Sequence, residues 1–125
     1  MRNIQHWIVG KAVESTNGRH GDVFDPATGE KTGKVAFASV EDVDTAVATA
    51  KAAFNSTWRH ASLAKRTRVM FAFRELVERH KKEIAALLTS EHGKVLSDAL
   101  GEVSRGLEVS EFACGIPQLM KGEFS

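Results

Sequence analysis

The sequence predicts an α/β protein that, within these 125 residues, takes an α+β form: a small antiparallel sheet followed by three helices. Two observations predict this fold class. Short β-prone runs, separated by glycines and turn residues, occupy about residues 6–38. Apolar residues at helical spacing then fill three stretches, at about 40–55, 62–92 and 97–114. A sheet this small is not stable alone, so we expect helices to cover it.

The composition indicates a folded chain in a reducing compartment. An apolar content of 42% separates it from disordered proteins, and a net charge of +1 argues against nucleic acid as a partner. The single cysteine, Cys114, excludes an internal disulfide, and the five histidines are too scattered to indicate zinc. No run has the length of a membrane span or the pattern of a signal peptide, so we expect a cytoplasmic protein with no membrane partner.

Three short strands and one turn are expected in the first part of the chain. Trp7–Val9 and Val23–Phe24 read as short strands, and Asp25–Gly29 has turn chemistry because proline presets φ and glycine tolerates positive φ. Lys34–Ala38 reads as the strand that leaves this turn. We therefore expect antiparallel pairing across the turn.

One glycine-rich stretch has a superficial likeness to a phosphate-binding loop. Gly29–Val35 has its glycines one residue too close, and Val35 stands where a magnesium-binding Ser or Thr is needed. No G-x-G-x-x-G fingerprint occurs in the chain either. The sequence therefore shows neither a phosphate-binding loop nor a dinucleotide fingerprint.

The first helix is predicted to begin at a capping box and to end near Asn55. Ser39 can accept a hydrogen bond from an orphan amide, and the acidic Glu41 and Asp42 suit the positive end of the helix. Its helically spaced apolar residues should form one buried stripe; they are Val43, Val47, Ala50 and Phe54.

The second helix is predicted to begin at Ser62 and to end before Gly93. Its apolar stripe consists of Met70, Phe73, Val77, Ile84 and Leu87. The opposite face is rich in lysine and arginine, which would suit a nucleic acid. Glutamates interleave with these cations, so the pattern favours a solvated face with ion pairs three and four residues apart.

The third helix is predicted to start at Ser97–Asp98 and to run to Cys114, because Gly115 and Pro117 should end or kink it. Cys114 shares one face with the apolar residues Leu100, Val103 and Leu107. A nucleophilic thiol needs partial exposure and a nearby base, whereas a cysteine on an apolar stripe packs as a small hydrophobe. We therefore interpret Cys114 as a packing residue.

Arg105 occupies the opposite face of the third helix, near Gly101, Val109 and Phe112. A face turned to water should be polar, so the valine and phenylalanine indicate a missing cover. Spacing alone favours an ion pair between Arg105 and Glu102 or Glu108, which lie three residues before and after it.

Taken together, the residues resemble the opening of an aldehyde dehydrogenase. The resemblance rests on these stretches: HWIVGKAV, DVFDPATGEKTGKVAFAS, AKAAF with Trp58, and TSEHGKVLSDALGEVSRGLEVSEFACG. The ending RGLEVSEFACGIPQLMKGEFS is similar to one branch, the CoA-acylating methylmalonate-semialdehyde (malonate-semialdehyde) dehydrogenases. The resemblance implies that residues 1–125 are the incomplete N-terminal part of an NAD-binding domain, before its Rossmann-like sheet.

The resemblance also implies a chemistry for the full-length protein. An anionic semialdehyde is oxidised with NAD and CoA as co-substrates, giving acyl-CoA and CO₂. It implies no catalytic, metal-binding or cofactor-binding residue in this chain, which alone should be inactive. Arg105 is the one carried-over site residue, as the binder of the substrate's carboxylate. The full-length protein should be a dimer or a tetramer. The alternative is a stand-alone helical interaction module that uses the face with Val109 and Phe112.

Overall fold

The computed structural model describes residues 1–123. The chain forms two units, Met1–His60 and a second that begins at Ala61. The first unit contains five strands, one α-helix and one π-helical turn: β1 (Arg2–Ile4), β2 (His6–Ile8), β3 (Lys11–Val13), β4 (His20–Phe24), β5 (Lys31–Ala36), α1 (Val40–Ala53) and the π-turn Phe54–Trp58.

The strands form a mixed three-stranded sheet and a separate hairpin, which corrects the expectation of one antiparallel sheet. The order in the sheet is β1-β5-β4, and β4 pairs with β5 antiparallel, as predicted across the turn. However, β1 pairs with β5 in parallel, with Arg2 opposite Gly33. The prediction missed β1 because Arg2–Ile4 contains one β-branched residue and no alternation, so its pairing depends on a partner far along the chain.

The hairpin of β2 and β3 turns at Val9 and Gly10, which both have positive φ, at 56° and 72°. Positive φ at both central residues is the geometry of the tight hairpin turns that match strand twist. Valine rarely adopts this conformation, so the predicted strand ran one residue too far and included Val9.

The turn at Asp25–Gly29 forms as its chemistry predicts. Asp25 Oδ1 accepts hydrogen bonds from the amides of Ala27 at 2.7 Å and Thr28 at 3.2 Å. Gly29 has a φ of 75°, and its amide donates to the Asp25 carbonyl at 2.8 Å. The following strand, β5, begins at Lys31, three residues before the expected start, because Glu30 closes the turn by accepting from the Asp25 amide.

Helix α1 begins at the predicted capping box. Ser39 Oγ accepts from the Asp42 amide at 3.1 Å, and Asp42 Oδ2 accepts from the Ser39 amide at 2.9 Å. The α-helical pattern ends at Ala53 because the hydroxyls of Ser56 and Thr57 both donate to the Ala53 carbonyl. The chain continues as the π-turn, in which the Arg59 amide donates to the Phe54 carbonyl at 2.9 Å.

The apolar stripe of α1 is exposed, so the expectation of a buried stripe was wrong. Val43, Val47 and Phe54 are 51%, 60% and 50% exposed. The buried residue of this helix is instead Asp42, at its first turn. Periodicity identifies the apolar face of a helix correctly, but it does not establish that the cover lies among the same residues.

Up to residue 123, the second unit contains four helices: α2 (Leu63–Arg79), α3 (Lys81–His92), α4 (Leu96–Cys114) and α5 (Ile116–Leu119). Helix α2 is capped by Ser62, whose hydroxyl accepts from the Lys65 amide at 3.2 Å, as predicted. Gly93 ends α3 in the left-handed conformation, with a φ of 81°.

The single helix expected over 62–92 is two helices, because the chain leaves helical geometry at His80. This residue has φ −99° and ψ 12°, and its ring Nδ1 lies 3.1 Å from Glu83 Oε1. Neither a glycine nor a proline marks the break, and the apolar stripe continues on both sides of it. Sequence periodicity therefore carried no signal for the interruption.

Helices α2 and α3 both pack against α4. Ala85 of α3 and Ala99 of α4 are fully buried, and Leu107 is 6% exposed, so small side chains allow close packing. Arg74 of α2 reaches Glu111 of α4, with Nη2 and Nε at 2.6 and 3.0 Å from Oε1. None of the helices in residues 1–123 is both long enough and apolar enough to cross a bilayer.

Candidate functional site

The candidate site lies on α4, which spans Leu96–Cys114. The helix starts one residue before the expected Ser97, since Val95 occupies the N-cap position and makes no side-chain cap. Asp98 lies in the first turn, where its charge suits the helix dipole. The helix ends at Cys114, and Pro117 falls in the first turn of α5, where a missing amide hydrogen costs nothing.

Cys114 is half-buried on the packed side of α4. It lines a shallow groove of about 530 Å³ whose surface is mainly apolar. The other lining residues are Leu63, Ala64, Thr67, Phe71, Pro117 and Gln118. None of these neighbours is a base that could activate a thiol. The surroundings of Cys114 thus support its interpretation as a packing residue.

The opposite face of α4 is open and combines one cation with apolar side chains. Arg105 is 70% exposed along its side chain, and Val109 and Phe112 are 69% and 67% exposed. An amphipathic helix normally presents polar residues on its solvent side. Apolar side chains around a cationic head form a surface suited to a small organic anion.

The ion pair that spacing offered to Arg105 is weak in this structure. Arg105 Nη2 lies 4.0 Å from Glu102 Oε1, beyond hydrogen-bond distance. Within residues 1–123 no ion pair joins Arg105 to Glu108. The guanidinium instead lies along the helix, and a Cβ built at Gly101 would be 3.7 Å from Nη1. The guanidinium thus lies within ordinary van der Waals distance of this position on the helix surface.

Glu102 is held by a residue that the sequence analysis missed. Lys94 follows Gly93 in the turn before α4, and its Nζ donates a hydrogen bond to Glu102 Oε1. The bond from Lys94 lowers the pKa of Glu102; burial opposes the shift, while the charges of Lys94, Arg105 and His92 add to it. The sequence did offer a signal for this contact, namely Gly93 between α3 and α4. A glycine in the left-handed conformation ends α3 and turns the chain, so that Lys94 is directed towards α4.

The junction of β5 and α1 places a helix N-terminus directly after a strand, and a helix N-terminus is a position at which phosphate groups can bind. That end is closed by the capping box of Ser39 and Asp42, and Glu41 adds a second negative charge. No three His, Cys, Asp or Glu side chains come together as a metal site anywhere in residues 1–123.

Residues 12–125 match the aldehyde dehydrogenase family. The chain belongs to this family. Its α/β topology agrees with that assignment, since solved dehydrogenase structures cover 98–100% of the chain.

The curated relatives of this aldehyde dehydrogenase chain include malonate-semialdehyde dehydrogenases. The Pseudomonas aeruginosa enzyme is 43% identical over 125 residues, which is 100% of this chain and 25% of that protein. Malonate-semialdehyde dehydrogenase 2 of Geobacillus thermodenitrificans is 46% identical over 122 residues, or 98% of this chain and 25% of that protein. The chain thus spans about a quarter of the length of these relatives.

Two solved structures carry the same family similarity. An NAD complex of a Sinorhizobium meliloti protein, assigned as a methylmalonate-semialdehyde dehydrogenase, has a TM-score of 0.92 and 46% identity, covering 100% of this chain and 25% of that one. Methylmalonate-semialdehyde dehydrogenase from Oceanimonas doudoroffii has a TM-score of 0.91 and 48% identity, covering 98% and 25%.

Proposed function

We propose that this chain is the N-terminal part of a CoA-acylating malonate- or methylmalonate-semialdehyde dehydrogenase. Relatives with those names align with nearly the whole chain at 43–48% identity, which supports this branch of the family. The complete enzyme would use NAD as hydride acceptor and CoA as acyl acceptor, with loss of the substrate's carboxylate as CO₂. We expect it to be a homodimer or homotetramer.

The role of this chain in the reaction is to bind the substrate's carboxylate through Arg105. The observation that carries this proposal is the 70% exposure of the Arg105 side chain together with its long, 4.0 Å contact to Glu102. A guanidinium can grip a carboxylate through two parallel hydrogen bonds. Val109 and Phe112 would border the carbon chain of the semialdehyde.

The chain alone should be inactive. Its single thiol, Cys114, lines an apolar groove on the side of α4 away from Arg105, where no base adjoins it. The nucleophile, the general base and the dinucleotide site would come from the remaining three-quarters of the enzyme. Turnover of semialdehyde, NAD and CoA by the isolated 125-residue chain would contradict this proposal.

Replacing Arg105 in the complete enzyme tests the proposal. Arg105→Ala should lower kcat/KM for malonate semialdehyde about 10- to 100-fold, as expected when a charge-assisted hydrogen bond is lost. The loss for propanal, which has no carboxylate, should be much smaller. Arg79→Ala, at an exposed position in the last turn of α2, is the matched control and should change neither value.

Equal losses on propanal and semialdehyde after Arg105→Ala, or no loss on either, would argue against carboxylate binding. Arg105→Lys separates charge from geometry. It should retain only part of the selectivity, because lysine offers a point charge rather than a planar fork.

A second candidate is a stand-alone interaction module. The exposure of Val109 and Phe112 favours it, since apolar side chains on an open helix face suit a protein partner. The two candidates separate at the level of the gene. A reading frame that continues into a dinucleotide-binding βαβ region supports the dehydrogenase, and a stop codon after Ser125 supports the module.

A further inference from the structure

We propose that Lys94 keeps Arg105 available to the substrate's carboxylate by holding Glu102, an inference that rests on the role proposed above for Arg105. Lys94 is then a positioning residue. It acts through Glu102 and does not touch the substrate.

The geometry shows two cations competing for one carboxylate oxygen. Glu102 Oε1 accepts a hydrogen bond from Lys94 Nζ, and the same oxygen lies 4.0 Å from Arg105 Nη2. The side chain of Lys94 is 16% exposed, against 41% for Glu102 and 70% for Arg105. The contact between Lys94 and Glu102 is therefore the inner and better shielded one.

Helix geometry would favour the competing pair if Lys94 were absent. Glu102 and Arg105 stand three residues apart on α4, a spacing at which opposite charges attract. A carboxylate that engaged the guanidinium would occupy the donors that the substrate needs. Lys94 gives the trio a net positive charge, and that excess charge resides on the exposed Arg105.

The position of the Arg105 guanidinium is the second part of the arrangement. The Arg105 guanidinium lies over Gly101, where a Cβ would be 3.7 Å from Nη1. This conformation keeps the guanidinium on the helix surface without requiring Glu102 as its anchor. A Cβ at this distance would make ordinary van der Waals contact with Nη1, so the position of the guanidinium does not depend on the glycine.

The test compares kcat/KM for malonate semialdehyde with that for propanal in the complete enzyme. Lys94→Met should lower this ratio about threefold to fivefold through a higher KM for the semialdehyde, the size expected for one newly formed surface ion pair. The double variant Lys94→Met/Glu102→Gln should restore the ratio, because the competing carboxylate is gone. Lys94→Arg should keep it.

A matched control is available in the same helical unit. Arg74→Met breaks a different ion pair to α4, that with Glu111, and should leave the ratio at the wild-type value. If Lys94→Met does not fold, Glu102→Gln alone decides. It should raise the ratio about twofold, since Arg105 then loses its weak anionic neighbour, and an unchanged or lower ratio would overturn the inference.

The remaining outcomes separate this inference from the proposed function. A ratio that falls with Lys94→Met but does not recover in the double variant means that Lys94 only stabilises the turn, and it overturns the inference. If the ratio falls strongly with Arg105→Ala but is unchanged by Lys94→Met, this inference alone is overturned. If Arg105→Ala leaves the ratio unchanged, the proposed function and the inference are both overturned.

Discussion

The Asp42 carboxylate accepts hydrogen bonds from several segments of the first unit. It caps α1 through the Ser39 amide, and it also accepts from Ser15 Oγ at 2.7 Å and from the Thr16 amide at 3.3 Å. His6 Nε2 of β2 lies 3.8 Å from Oδ2. One buried carboxylate thus connects the start of the helix with the segment after β3. Hydrogen bonds from Ser39, then Ser15 and Thr16, hold the pKa of Asp42 well below its ordinary value, against the opposing effect of burial.

The lowered pKa of Asp42 predicts acid sensitivity of the first unit. A carboxyl group whose folded-state pKa is depressed stabilises the fold fully above its unfolded value of 3.8. That stabilisation is lost progressively as the pH falls below this value towards the folded-state pKa. Unfolding midpoints measured between about pH 5 and pH 2 should show the loss, and Asp42→Asn should flatten the dependence.

Asp44→Asn serves as the control for this pH series. It removes the same charge from an exposed position on α1 and should retain the acid-induced loss of stability. If the unfolding midpoint of Asp42→Asn falls with decreasing pH as steeply as that of the wild type, Asp42 is not the group responsible for the acid sensitivity.

At the scale of elements, the features predicted correctly from the sequence are the helix ends and the turn, which depend on local chemistry. Ser39 and Ser62 cap helices, Gly93 ends one, and Asp25–Gly29 turns the chain as expected. Features that depend on distant partners were missed. Arg2–Ile4 forms a strand because it pairs with β5, and no local sequence pattern indicates a partner so far along the chain.

Gly33 makes the parallel pairing of β1 and β5 possible. A Cβ at this position would lie 2.7 Å from the Arg2 carbonyl oxygen, a backbone atom that cannot turn aside. Gly33→Ala should therefore push β1 away from β5 and cost about 1–3 kcal/mol of unfolding free energy, the range for overpacking. Chemical denaturation measures the change.

Gly106→Ala is the contrasting variant for this prediction. A Cβ at Gly106 meets nothing within 4 Å, so the change should stabilise α4 by about 1 kcal/mol through helix propensity. If both alanines shifted stability in the same direction, crowding against Arg2 would not be the relevant effect.

At the scale of the whole molecule, the buried core is small. The buried apolar residues of positions 1–123 are Ala36, Ala85, Ala99 and Leu107.

Sequence periodicity identified the apolar faces of the helices, and it also indicated correctly that Val109 and Phe112, on the Arg105 face of α4, are not covered within the described residues. It failed for α1, whose predicted buried stripe is exposed, because a pattern of apolar residues does not reveal whether their partner is present. The 4.0 Å distance between Arg105 and Glu102 was likewise beyond sequence, and so was the bond from Lys94 to the same carboxylate oxygen.

Exposed apolar side chains predict self-association of the 125-residue chain in solution. Val109 and Phe112 stand beside each other on the open side of α4, at 69% and 67% exposure. Light scattering coupled to size exclusion should detect species larger than a monomer at micromolar concentration. Val109→Ser/Phe112→Ser should shift the distribution towards monomer, whereas Ser97→Ala at the start of α4 should not. A wild-type chain that remains a monomer with a sharp unfolding transition would contradict the prediction.

The parallel contact of β1 with β5 also constrains the order of folding. The hairpin of β2 and β3 and the turn at Asp25–Gly29 join neighbours in sequence and need little loop closure. The pairing of Arg2 with Gly33 must enclose all of the chain between them, so its entropic cost is met only after those local pieces exist. We therefore expect the amino-terminal strand to be the last piece of the sheet to dock during folding.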